Sequence, residues 1–334
     1  MTKKHEIINF FRRNIAIPAV LLMFILGATL YGGTFMNYRR NLMNVLLTAS
    51  MLGIMGLGTN LCFLLGARDL SVSAVGAAAS MFSAMFSSYG FLPSLIAGLL
   101  CGAVFGIING VIVAKFKVQP FVATLGTQLA ARGVALLVND ELSIEIATDA
   151  HALKTLGNGN LFGMIPVPAI LFVAMILVLM VVLEYTHFGR SVYAIGGNEE
   201  AAAMMGIRVD RTKILVFLMS GLTAGLSGVI LSGHINAGQP TSFIGWEMTI
   251  MAAIIIGGTS VKGGEGKIVG IFFGAIFLQL ISNIINLHGT ISPYWKDVIT
   301  GAILLVALLI QRYSEQMAER ATMEAALHAE GHSI

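Results

Sequence analysis

Ten times along this chain, an apolar run of membrane length is followed by a short polar connection. Such runs leave the backbone few choices. In hydrocarbon every N–H and C=O must be satisfied within the protein, so a spanning segment is a helix or part of a closed barrel. Runs of about 17–25 apolar residues are helix-length, whereas a barrel strand needs only about 9–11. The placements are 15–34, 42–65, 71–88, 91–113, 119–138, 164–184, 214–235, 246–261, 268–287 and 297–311. Arg68-Asp69 interrupts the stretch 42–88, which makes 66–88 either a full span or a broken helix. The expected fold is an all-α integral membrane protein. Its spanning domain covers 15–311, between an N-terminal tail at 1–14 and a C-terminal tail at 312–334. Composition agrees: 11% of residues are charged, where a soluble domain carries about 25%.

Charge placement orients the chain. With the N-terminus in the cytoplasm, that side collects Lys3, Lys4, Arg12, Arg13, Lys115, Lys117, Arg190, Arg208, Arg211, Lys213, Lys262, Lys267, Arg312 and Arg320. Arg39 and Arg40 oppose the trend. The majority satisfies the positive-inside rule. The N-terminus is basic and precedes an apolar run, like a signal peptide, but the run is long and points to an uncleaved first span. The net charge of +3 is spread over many loops and is not a nucleic-acid footprint. The longest outer loop, Asn139–Gly163, carries Asp140, Glu141, Glu145 and Asp149. It is either a solvated loop or a docking surface for a soluble partner.

The connection 187–213 is the most structured of the loops. Asn198 suits a helix N-cap, Glu199 and Glu200 a first turn, and Gly206 a C-terminal stop, with Ala201–Met205 between. A short capped helix bearing Met204 and Met205 is either an ordinary loop helix or an element gripped by another protein.

Glycines recur at every fourth residue in two places: Gly98, Gly102, Gly106 and Gly110, then Gly266, Gly270 and Gly274. Small-residue stripes let helices pack closely in lipid. The two stripes lie five spans apart, so the crossing direction reverses between them. This suggests an inverted repeat relating spans 2–5 to spans 7–10.

Catalytic patterns are missing from the sequence. The His residues form no HExxH, there is no CxxC, and Cys62 and Cys101 sit inside apolar runs. GGEGKI at 263–268 resembles a P-loop, but Val261 stands where Gly is needed and Ile268 where a hydroxyl is needed. No metal or cofactor is expected. Arg132, Glu184, Glu247 and Asp297 fall near span ends, where snorkelling accounts for them. Asp69 is the one candidate for an intramembrane carboxylate; it could equally cap a helix starting at Leu70.

Four segments carry a family resemblance: GARDLSVSAVGA at 66–77, PFVATLGTQLAARGVALL at 120–137, YAIGGNEEAAAMMGIRVDRTKILVFLMSGLTAGLSGVI at 193–230 and IIGGTSVKGGEGKIVGIFFGAI at 255–276. In this order they resemble the ribose-type and branched-chain amino-acid permease subunits of bacterial ATP-binding-cassette importers. Arg68 and Ser73 depart from the family's usual Ile and Gly. The resemblance implies a type II importer architecture in the bacterial inner membrane. It implies ATP-binding-cassette ATPase subunits in the cytoplasm, a periplasmic or extracellular substrate-binding protein, and a second permease copy or paralogue. Asn198, Glu199, Glu200, Ala201, Met204, Met205 and Gly206 would then form a coupling helix. Asp69, Ser71, Asn109, Thr124, Thr127, Gln128 and Asn283 are candidates for a translocation path, each with the alternative of an interhelical hydrogen bond. The implied cargo is a pentose or hexose, with a polyol-like molecule or an amino acid as alternatives. A secondary transporter for a small polar solute is the competing class.

Overall fold

The structure is a computed structural model that describes residues 16–290, 292–309 and 313. The tails at 1–14 and 312–334, Tyr313 apart, lie outside the described residues, as do their basic residues. The helices are α1 (Ala16–Phe35), α2 (Met43–Leu64), α3 (Val72–Met85), α4 (Phe91–Lys115), α5 (Pro120–Leu137), α6 (His151–Asn158), α7 (Val167–Tyr185), α8 (His187–Gly197), α9 (Glu199–Met204), α10 (Val209–Ile235), α11 (Trp246–Ile256), α12 (Gly270–His288) and α13 (295–309). Four two-residue strands are the only sheet among the described residues: β1 (Ile144–Glu145), β2 (Asn160–Leu161), β3 (Ile165–Pro166) and β4 (Ala237–Gly238). β1 pairs with β4 and β2 with β3, both antiparallel.

Seven of these helices are long and apolar enough to cross a membrane: α1, α2 with the π-helical turn before it, α4, α5, α7, α10 and α12. They divide by burial. Over an 18-residue apolar stretch, 89% of α2 with its preceding turn and 67% of α10 is buried, against 11% of α1. A helix apolar on every side suits either a core or lipid. Here α2 and α10 form the centre, and α1 and α7 turn most of their surface outward.

Two expected spans are shorter than placed. Residues 71–88 hold a 14-residue α3 and a 3₁₀ turn at Ser87–Tyr89; residues 246–261 hold an 11-residue α11. At 1.5 Å per residue these rise about 21 and 16 Å, short of a hydrocarbon core of about 30 Å. The stretch 66–88 is therefore broken. α2 ends at Leu64, the chain turns at Gly66 (φ +78°), residues 67–70 carry no helix, and α3 starts at Val72. Non-helical backbone inside a membrane-spanning bundle is tolerated only when enclosed by protein. Ala67, Asp69 and Leu70 are all buried.

Connections gather at two ends. At one, the Gly264 N–H donates to Leu64 O (2.8 Å), and Lys115 and Lys117 both pair with Asp210 at 3.0 Å. At the other, the Ala147 N–H donates to Ser87 Oγ (2.9 Å), and Asn158 Nδ2 donates to Gly233 O (3.0 Å). The order long helix, irregular stretch, short helix, then two further helices occurs at α2–α5 and again at α10–α13. α2 finishes at the first end and α10 at the second, so the two sets run in opposite senses. Arg132 is not a snorkelling side chain: its Nη1 donates to Pro240 O and to Ser242 O.

The first glycine stripe faces α10. A Cβ on Gly106 would stand 2.5 Å from Phe217 O, and one on Gly110 2.8 Å from Ile214 Cα. A Cβ on Gly102 would overlap Gly221 O, and a Cβ on Gly225 would stand 2.7 Å from Gly98 O. Both helices contribute glycines to a backbone-to-backbone contact. In the second set, Gly270 and Gly274 press α12 onto the backbone of Gly257 and Ala253. Gly266 is not part of a helical stripe, because it lies in the loop before α12 with φ +146°. Gly102→Val should destabilise the protein by about 1–3 kcal/mol or more, since backbone cannot retreat as a side chain can. Gly126→Ala, where the added methyl meets nothing within 4 Å, should be near neutral. Thermal unfolding of both variants in detergent checks the contrast, and equal losses would refute the packing account.

Candidate functional site

Two arrangements stand out, one at the first end and one inside the bundle. At the first end, Thr186 Oγ1 accepts from the Gly189 N–H (3.3 Å) and starts α8; Asn198 Oδ1 accepts from the Ala201 N–H (2.9 Å) and starts α9. Gly206, at φ +82°, ends α9. Glu199 and Glu200 lie in its first turn, where the helix dipole favours them. Ala202 is fully buried, while Met204 is 87% and Met205 71% exposed. Lys213 Nζ reaches Glu199 at 2.7 Å and ties α9 to the first turns of α10. Beside it opens a cavity of about 550 Å³ lined by Lys115, Lys117, Glu200, Arg208, Asp210 and Arg211.

α8, which leads into α9, is joined to the core by backbone. A Cβ on Gly196 would overlap Leu64 O, and would stand 2.5 Å from Gly264 N. Tyr193 Oη donates to Gly266 O (3.1 Å). The P-loop-like stretch 263–268 thus serves as a packing junction. Gly263 (φ +94°) and Gly264 (φ +73°) let it turn against Gly66 and Gly196-Gly197.

Inside the bundle, five polar side chains form a chain across four elements. Ser220 Oγ on α10 donates to Asp69 Oδ2 (2.7 Å). Asp69 Oδ1 accepts from the Ser71 N–H (2.9 Å) and Ser71 Oγ (2.6 Å). Asn109 Nδ2 on α4 donates to Ser71 Oγ (2.9 Å), and Thr127 Oγ1 on α5 donates to Asn109 Oδ1 (2.6 Å). Thr124 Oγ1 donates to Arg68 O (3.2 Å) beside them. All of these side chains are buried. Asp69 caps the turn before α3, which begins at Val72 rather than Leu70.

Of the seven polar candidates, Asp69, Ser71, Asn109, Thr124 and Thr127 come together. Gln128 lies half-buried on α5. Asn283 stands apart on α12, exchanging hydrogen bonds of 2.6 and 3.1 Å with Asn41. Sequence reasoning missed Ser220, one of three Ser-Gly pairs in an apolar helix. It also missed Gly196, whose close approach to Leu64 has no local signature. Among the described residues no three His, Cys, Asp or Glu side chains could share a metal ion.

Known proteins share this chain's sequence over most of its length. The family described as "Branched-chain amino acid transport system / permease component" matches residues 41–308. The chain belongs to this family. The permease is 40% identical over 274 residues to the ribose import permease of Bacillus subtilis, covering 81% of this chain and 84% of that one. It is 39% identical over 278 residues to the L-arabinose transport system permease of Escherichia coli, covering 83% and 84%. The solved PsaBC complex with Fab from Streptococcus pneumoniae matches at 17% identity with a TM-score of 0.47, covering 89% of this chain and 99% of that one. This permease is a multi-pass membrane protein and a transport component.

Asp69→Ala in the permease removes the acceptor of three donors, at about 1–3 kcal/mol for each buried donor left unmet. The loss should overlap with that of Ser220→Ala, giving a coupling of about 0.5–3 kcal/mol in a double-mutant cycle. Strict additivity in detergent unfolding would separate Ser220 from the seam.

Proposed function

We propose that this permease is the membrane-spanning subunit of an ATP-driven sugar importer of the bacterial inner membrane, with its N-terminus in the cytoplasm. The observation that carries the proposal is α9: a capped helix offering two exposed methionines, braced by Lys213 and following directly on α8, which meets the bundle through backbone contacts. Exposed Met is adaptable apolar surface, suited to an irregular groove on another protein. α9 is the coupling helix, and the occupant of that groove is α9 itself, gripped by an ATP-binding-cassette subunit.

ATP binding draws the two ATPases together and moves the coupling helices of two permease copies. α10 receives that motion directly, because it begins just after α9. At 27 residues it is about 40 Å long and reaches the opposite end. There Asn158 donates to Gly233 O and His234 O, and His234 Nδ1 meets Asn158 Oδ1 at 2.7 Å, so the outer loop with α6 moves with it. A substrate-binding protein docks on that face. The buried seam holds the broken segment before α3 while the halves of the inverted repeat rock. The relatives carry ribose and L-arabinose, which supports a pentose as cargo. Energy comes from the partner chains, since Val261 and Ile268 deny this chain a P-loop.

The test is uptake of labelled ribose and arabinose into proteoliposomes holding the permease with its ATPase and binding protein. Uptake should require ATP and both partners. Met204→Asp with Met205→Asp should abolish uptake and substrate-stimulated hydrolysis while leaving membrane insertion intact. Uptake by the permease alone would favour a secondary transporter. For orientation, cysteine at Phe162, in a background lacking Cys62 and Cys101, should react with an impermeant thiol reagent outside intact cells. Cysteine at Met204 should react only after the membrane is opened; the opposite pattern refutes the topology.

A further inference from the structure

The irregular stretch between α10 and α11 is held against its own backbone preference. Asn236 has φ +59°, Phe243 +61° and Gly245 +79°. A left-handed conformation is ordinary for Gly and tolerable for Asn, but for a bulky residue such as Phe it is an outlier that its surroundings must hold in place. The surroundings of Phe243 are specific. Its ring is 6% exposed, reaches Gly76 on α3 beside Met55 on α2, and meets Trp246 edge-on with centroids 4.7 Å apart. The stretch thus inserts an aromatic plug between the two helices that flank the broken segment. Its start is pinned: β4 pairs with β1, Gly238 packs on the α3 backbone at Ser80 and Met81, and the Gln239 N–H approaches Ser80 Oγ at 3.4 Å.

Its middle is gripped by a cation. Arg132 on α5 donates from one nitrogen, Nη1, to the carbonyls of both Pro240 and Ser242. Neutral carbonyls are weaker partners for a guanidinium than a carboxylate is. A carboxylate is at hand. Glu247, in the first turn of α11, lies within electrostatic reach of Arg132, and its buried Oε2 has no hydrogen-bond partner. A buried carboxylate oxygen without a donor is costly and persists only where something prevents its pairing. The guanidinium that could meet it is held by the loop carbonyls.

We propose that Arg132 is the latch of an outer gate: it holds loop 236–245 closed with Phe243 as the plug, and passes to Glu247 when the loop lifts. Each arrangement has a gain and a loss. The closed one buries the Phe243 ring but keeps the strained backbone and the unmet Oε2 of Glu247. The open one relieves both and exposes the ring. Two discrete packings of this kind make a switch that a docking protein can bias. The loop pairs through β4 with the segment at β1, in the outer connection proposed above to receive the binding protein. Arg132 is thus a positioning residue for transport, acting through the loop.

This inference rests on the importer reading, yet it can be tested apart from transport. Ser80 is buried beneath the loop on α3, so Ser80→Cys, in a background of Cys62→Ala and Cys101→Ala, reports the gate by its reaction with an impermeant thiol reagent added outside cells that carry the permease with its partners. The cysteine should be protected in the otherwise unchanged protein. Arg132→Met should raise its labelling rate roughly tenfold, the loss expected of one charge-assisted contact. Arg132→Lys should return the rate toward the original value. Glu247→Gln should act in the opposite sense, leaving the cysteine protected while slowing ATP-driven uptake, because the latch loses its second anchor. Unchanged labelling in a folded, monodisperse Arg132→Met complex overturns the latch and leaves the importer reading standing. If Arg132→Met does not fold, the Glu247 arm decides: uptake at the original rate, or a cysteine that becomes reactive, overturns the proposal. Absence of ATP-driven uptake in the unmodified assembly refutes the importer reading alone, since labelling reads the loop without it.

Discussion

Everything in this bundle hangs on the contact between α4 and α10. In lipid, apolar side chains gain little by leaving one apolar surface for another, so helix association depends on close van der Waals fit. Gly98, Gly102, Gly106 and Gly110 on one helix and Gly221 and Gly225 on the other bring two backbones together along four turns. That leaves α10 free on its other sides for α2 and α3, and Gly58 and Gly228 repeat the device there, against Ser220 and Gly76. A central helix surrounded this closely cannot shift without its neighbours.

Polar groups inside the bundle play a different part from glycine. A low dielectric makes a satisfied hydrogen bond strong and an unsatisfied one expensive. The break before α3 would expose backbone and a carboxylate to that penalty. The seam from Ser220 to Thr127 removes it by meeting the carboxylate with donors from the break itself and from α10. The same chain of contacts ties together α10, the break, α4 and α5, so one irregularity in the backbone gathers four elements. Arg132 solves a similar problem at the opposite end by satisfying two loop carbonyls.

Much of this was legible in the chain because it is written locally. Asn198, two glutamates and Gly206 announce α9 by cap chemistry that needs no tertiary partner, and the first glycine stripe announces a packed face. Hydropathy, however, cannot tell a buried extended segment from a buried helix, which is why 71–88 and 246–261 read as longer spans than α3 and α11. The repeat Gly266-Gly270-Gly274 continues a helical period into a turn, where the same residue type serves positive φ instead. Asp69, Ser71, Asn109, Thr124 and Thr127 were visible as polar residues in apolar surroundings, but their mutual contact depends on how helices cross. Ser220 and Arg132 acquire meaning only from groups more than a hundred residues away, Asp69 for one and Pro240 and Ser242 for the other.

The junction of Leu64, Gly196 and Gly264 bears on timing. Side chains at an interface act as cushions: they change rotamer and absorb small displacements before passing them on. At this junction main chain rests on main chain, and no rotamer is available to take up slack. A thrust on α8 and α9 therefore arrives at the end of α2 without backlash, and so does a thrust in the reverse direction. Whatever displaces α8 displaces the end of α2 at the same moment, because the joint has no slack to close first.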